Sequence, residues 1–254
     1  MRAPGLYATL ALVVSLSGLV PVACAGDHPA PRAGAGRLEL AVHYDFFLCE
    51  GSRVNDASGK KHDGTLIHGA LVEGRRRNAV RFDGQGMIRV NDPQATLDPT
   101  SRSLTVGAVC NPSSADGVIA SMGDRTDGFS LYVKRGIPHF VVRCGGKLTQ
   151  VADVEPIPID QWTHLIGGLD ENGEAWLIVN GYLTAHARSK QIPRRPAGPL
   201  CIGADPGAPV GDYSEPMNWN GLLQEVRLYW GFIDLKANRE DMKDWADLSG
   251  CGCK

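Results

Sequence analysis

The chain has 254 residues, 43% of them hydrophobic, a formal net charge of -2, 31 glycines and 16 prolines. That length and apolar content support a sizeable core, and a nearly balanced charge without a sustained run of one sign gives no indication of an electrostatic nucleic-acid binder. Glycine and proline are abundant but unperiodic, which excludes collagen and favours many turns between short strands.

Residues 1–25 combine Arg2, the apolar stretch LYATLALVVSLSGLVPVA and small residues in ACAG. This is the pattern of a secretory signal cleaved after Ala25. The rival reading is a bacterial lipoprotein signal, in which Cys24 is lipidated and supplies the only membrane attachment. Residues 26–37 form an Ala/Gly/Pro-rich linker, and 38–254 are read as one domain. Setting Cys24 aside leaves Cys49, Cys110, Cys144, Cys201, Cys251 and Cys253. An even count in an exported chain predicts a disulfide framework, with its connectivity open and a link from the C-terminal pair to Cys49 the first to test. Only Cys251 and Cys253 are closely spaced and no CxxC pair exists, which argues against zinc.

LELAVHYDF (38–46) alternates apolar and polar residues as a first strand, and EGSRVNDASGKKHDGTL is a turn-rich excursion. NAVRFDGQGMIRV reads as two short strands split by a hairpin turn at Asp83-Gly84. SLTVGAV, GVIASMG, GFSLYVK, PHFVVRC and LTQVADV continue the series. In QWTHLIGGLDENGEAWLIVNG, Trp162, His164 and Ile166 share one strand face and Thr163 and Leu165 the other. Asn172-Gly173 turns the chain. Ala175, Leu177 and Val179 then oppose Trp176 and Ile178, and Asn180-Gly181 makes a second turn into YLTAHA. A meander apolar on both faces needs cover on both sides. GLLQEVRLYWG is the last strand, followed by a helical period in 234–248 with Leu235, Met242, Trp245 and Leu248 as its buried stripe. GRRRN and PRRP are read as solvated loops.

In order, AVHYDFFLCEGSRVNDASGKKHDGTL, NAVRFDGQGMIRV, WTHLIGGLDENGEAWLIVNGYL and LCIGADP leading to NGLLQEVRLYW resemble the landmarks of laminin-G-like, concanavalin A-like jelly-roll domains of exported bacterial proteins. The resemblance spans about 38–247. It implies an all-β fold, a two-sheet antiparallel jelly-roll sandwich, here with a short C-terminal helix, and a non-catalytic module outside the cytoplasm. Such a module recognises a glycan or a cell-surface protein through its rim loops. A calcium ion at the rim is also implied, with Asp127 in DRTDGFSLYV and Asn218 or Asn220 in NWNGLLQEV as ligands.

The alternatives are a glycoside hydrolase or lyase on the same fold, and a structural or adhesion lipoprotein. Glucanases of this fold place carboxylates at alternating positions of one strand. The nearest run here, Asp153-x-Glu155, leads into PIPID, where proline breaks a strand. Glu171 and Glu174 belong to a hairpin turn, and Glu225 in the last strand reads as structural. No HExxH, nucleophile elbow or phosphate-binding glycine loop occurs. His164, in a Trp-x-His scaffold motif, reads as packed. GDYSEPMNWNG places Tyr213, Trp219 and Asn220 in a polar loop. Such a loop either stacks a ring on a sugar face or folds its tryptophan down onto the sandwich edge.

Overall fold

The computed structural model describes residues 38–47, 49–214, 216–234 and 245, all within one compact unit, Ala33–Lys254. The 1–25 signal, the whole 26–37 linker, most of the expected C-terminal helix, Cys24, Cys251 and Cys253 lie outside the described residues.

The first five strands are β1 (Glu39–Tyr44), β2 (Cys49–Glu50), β3 (Arg53–Val54), β4 (Gly64–Glu73) and β5 (Asn78–Val90). Next come β6 (Leu104–Pro112), β7 (Gly117–Gly123), β8 (Gly128–Lys134), β9 (Ile137–Cys144) and β10 (Lys147–Ala152). The chain continues with β11 (Thr163–Leu169), β12 (Glu174–Val179), β13 (Tyr182–Arg188), β14 (Leu200–Ile202) and β15 (Asn220–Trp230). Hydrogen bonding runs in the order β10-β9-β8-β7-β14-β5-β15-β6-β11-β12-β13, with β1 beside β15 and β4 beside β5.

This is the expected all-β sandwich, with one refinement: its layers are joined by main-chain pairing. The first half of β5 pairs Val80–Asp83 with β15, and Ile88 and Arg89 pair with β14. Asp83-Gly84 therefore makes no hairpin. Gly84 takes a φ of 86°, Asp83 Oδ1 accepts the Gln85 N–H at 3.0 Å, and the strand bends without reversing.

Between the layers lies the main core, which includes Tyr44, Phe82, Phe129, Phe140, Leu165 and Leu177. Gly167 of β11 is required there. A Cβ at that position would meet the ring of Phe140, from β9, at 2.1 Å. The missing side chain thus lets a large ring fill the space between facing sheets.

The meander forms as expected. Asn180 and Gly181 take φ values of 52° and 83°, as a two-residue turn needs. At the other turn Asp170 Oδ1 accepts the N–H groups of Asn172 and Glu174, both at 2.8 Å. Leu165 and Leu177 face the main core, whereas Ile166 and Ile178 join Val109, Tyr229 and Trp245 on the outer face. Trp245, the one described residue of the expected C-terminal stripe, is fully buried there.

Candidate functional site

The loop expected to carry a sugar site is folded down. Trp219 is fully buried in the main core, lies over Gly117, and donates its backbone N–H to the Gly203 carbonyl at 2.7 Å. Tyr213 is buried on the outer face of β7–β9, its ring edge-on to Tyr132 at 4.7 Å. Its hydroxyl donates to Asp205 at 2.5 Å and accepts from the Ser130 hydroxyl at 2.9 Å. Burial first, then the Asp205 charge, pushes the Tyr213 hydroxyl well above its ordinary pKa. Asn220 is tied into β15 opposite Asp83, and its carbonyl accepts the Ser113 N–H. Neither Tyr213 nor Trp219 offers a ring face to solvent, which corrects the stacking expectation: burial of the two rings outweighs the polarity of the loop around them.

The expected calcium pair does not converge. Asp127 is buried, with Oδ1 accepting the Gly145 N–H at 2.7 Å and Oδ2 paired to Arg194 Nε at 2.5 Å. Asn218 bridges Val118, at one end of β7, whereas the Asp127 turn closes against Gly123 at the other. Five residues of strand separate those ends by roughly 17 Å. Among the described residues no cluster of three or more His, Cys, Asp or Glu side chains is arranged to hold a metal ion.

No two of the described cysteines, Cys49, Cys110, Cys144 and Cys201, are bonded to each other, and the expected link from Cys49 to the C-terminal pair involves residues outside the described ones. Cys110 and Cys201 are buried, and Cys110 Sγ donates to the Thr163 carbonyl at 3.4 Å. Burial pushes the Cys201 thiol up to about 12, and Cys110 higher still. Cys110 packs into the main core as a small apolar residue, whereas Cys201, between the core residues Leu200 and Ile202, is buried on the opposite face of its strand.

Glu225 has the structural role expected of it. A bulge between Gln224 and Arg227 leaves Glu225 at a φ of 53°, with its carboxylate fully buried. It accepts from Arg227 Nη2 at 2.6 Å, His43 Nε2 at 2.8 Å and Arg77 Nη1 at 3.3 Å. Burial alone would raise its pKa, but the hydrogen bonds from His43 and Arg227 and their charge hold it down to about 2. His164 is packed edge-on to Trp245 at 5.0 Å. Burial, with the Arg227 charge, lowers it to about 3, so it stays neutral.

The described surface has an open cleft of about 280 Å³ at one end of the sandwich. Strand register explains its position. Glu39 pairs with Trp230, Trp230 with Leu104, Leu104 with Leu169 and Leu169 with Ala175, so four strands and a hairpin end at one level. The residues just beyond that line gather into the cleft: Glu39, Ser101, Arg102, Ser103, Glu171 and Gln191, floored by Trp230 and Gly231.

Arg102 lies over the Trp230 ring, its Cζ 5.2 Å from the centroid. Glu39 is paired with Lys60 at 2.6 Å. Gln191 donates from Nε2 to the Asp170 carbonyl, leaving Oε1 buried without a partner. Sequence reasoning missed this cleft because its residues come from five separate segments and share no motif.

The fold is a β-sandwich of the concanavalin A-like lectin/glucanase type. The profile of the Concanavalin A-like lectin/glucanases superfamily matches residues 82–232, and the chain belongs to that family. Domain 4 of AbnA, a GH43 extracellular arabinanase from Geobacillus stearothermophilus solved with arabinotriose, is similar over 84% of this chain and 100% of its own. Its TM-score is 0.62 at 20% identity. The binding domain of Paraclostridial Mosquitocidal Protein 1 is similar at a TM-score of 0.63 and 13% identity, over 82% of this chain and 52% of its own. The binding domain of botulinum neurotoxin DC, solved with rat synaptotagmin II, gives 0.54 and 10%, over 81% and 51%. The chain thus spans about half the length of those two toxin domains. No curated protein matches it in sequence.

Proposed function

We propose that the chain is a non-catalytic recognition module, exported from the cytoplasm, that binds carbohydrate through the end cleft. The observation that carries this reading is the cleft's chemistry. A guanidinium, two carboxylates, two serines and an amide gather beside an indole, and sugar hydroxyls need such mixed donors and acceptors. The arabinanase domain solved with arabinotriose supports a glycan ligand, and the toxin domain solved with synaptotagmin II supports a protein partner as the outcome to test against it.

A glycan-array screen of the purified chain tests this, followed by mass spectrometry of every bound oligosaccharide after prolonged incubation. Binding without cleavage is the expected result. Shortened products would instead establish a glycosidase or lyase. Absence of glycan binding, with capture of a cell-surface protein, would favour the protein partner. For the anchor, N-terminal sequencing and fatty-acid labelling of wild-type and Cys24→Ala chains distinguish cleavage after Ala25 from lipidation.

A further inference from the structure

Resting on the carbohydrate reading, we propose that the saccharide bound in the end cleft carries a carboxylate, and that Arg102 is the residue that recognises it. Arg102 leads into β6 from an exposed loop, yet its side chain is not left to wander, because its guanidinium lies over Trp230. An arginine stacked on an indole keeps its planar fork of donors in one orientation. Among the described residues that fork has no hydrogen bond and no ion pair, although Glu39 and Glu171 line the same cleft. Glu39 is instead drawn to Lys60 at 2.6 Å. A pre-oriented guanidinium in a cleft, with its donors unused, fits a planar anion bound by two parallel N–H groups.

The rest of the cleft fits a sugar acid better than a bare anion. Its serine hydroxyls suit sugar hydroxyls, whereas Gln191 Oε1, although it lacks a partner, is closed off from solvent and out of a ligand's reach. Ser101 and Ser103 flank Arg102 in sequence and line the cleft with it. Glu171 lines the same cleft with a negative charge, so it discriminates against an anion that is not aligned on Arg102. Its removal should strengthen binding of an acidic ligand, whereas loss of Arg102 should weaken it.

The test compares pairs of saccharides that differ only in charge: oligogalacturonate, oligoglucuronate and sialyllactose, each with its methyl ester. Affinities are measured on the purified chain at low and at physiological salt. At least one acid should bind about 10- to 100-fold more tightly than its ester, the range of one charge-assisted contact. That preference should shrink with added salt and disappear in Arg102→Gln, while Glu171→Gln binds the acid more tightly than wild type. Arg102 is on the surface, so an unchanged melting temperature confirms that Arg102→Gln is folded, and the acid-to-ester ratio in wild type needs no variant.

Equal binding of acid and ester, or array hits confined to neutral glycans, overturns the acidic-ligand assignment and leaves the carbohydrate reading standing. An acid preference that survives in Arg102→Gln overturns the role of Arg102. No binding to any glycan on the array overturns both.

Discussion

Glu225 and Arg227, two residues apart on the last strand, are joined across 2.6 Å with both side chains buried. The pair sits on the outer face of the sheet, where Arg227 also lies 5.0 Å from the Trp245 ring centroid. Removing one partner leaves the other charge buried. Glu225→Ala should therefore cost about 3–5 kcal/mol, and Glu225→Gln less, since an amide still accepts from His43 or Arg227. Urea titration of the three proteins checks the order; an unaffected Glu225→Ala would mean that the cluster is solvated.

Stability should fall in two stages on acidification. His164 is held near 3, below its unfolded value of 6.5, so the unfolded chain takes up that proton first. Its contribution is complete above about pH 6.5 and declines toward pH 3, by at most about 1.4 kcal/mol per pH unit. Burial lowers His139 as well, which adds in the same direction. Glu225, lowered from 4.5 to about 2, contributes fully above its unfolded value, and that contribution is lost as pH falls through 2. Melting curves from pH 8 to pH 3 should show the decline, and His164→Gln should flatten its upper part.

A thiol reagent should modify neither Cys110 nor Cys201 in the native chain and both after unfolding in guanidinium. Both are buried, and burial raises both thiols. Mass spectrometry before and after unfolding reads this directly. Rapid native labelling of either would show that the interior opens.

Trp219→Ala should behave as a core deletion and cost about 3–5 kcal/mol. Tyr213→Phe removes the hydroxyl shared by Asp205 and Ser130, at about 1–3 kcal/mol. Denaturant midpoints decide the matter. If Trp219→Ala kept wild-type stability and lost ligand binding, the Trp219 ring would belong to a binding surface after all.

Asp127→Ala should lower the melting temperature equally with calcium and with a chelator, because Arg194 and the Gly145 N–H already hold that carboxylate. The wild-type chain should melt at the same temperature in both. A calcium-dependent rise of several degrees would place an ion on ligands other than the Asp127 and Asn218 pair.

The strands and the meander were legible because alternation and turn residues are local signals. Asn180-Gly181 specifies its own backbone, and Leu165 against Ile166 declares the two faces. Asp83-Gly84 misled for the same reason. Its local chemistry suits a hairpin, but pairing of Val80–Asp83 with β15 and of Ile88–Arg89 with β14 holds the chain extended through the bend. For Trp219 the polar loop leaves an exposed and a folded-down ring both open in the sequence, and the indole's apolar area favours the core. The cleft was invisible. Arg102 and Trp230 are far apart in sequence, and only the shared level of their strand ends brings them together.

Because β5 belongs to both layers, the sheets are joined on that side by main-chain hydrogen bonds, with β10 and β13 at the unpaired ends of the strand order. Shearing one layer past the other would break main-chain hydrogen bonds and drag Phe140 off Gly167. On the joined side the two layers should therefore not gape like jaws around a guest. A ligand at the end cleft meets a stiff mouth whose adjustments are those of side chains, so its selectivity is a matter of fit and charge rather than of closure.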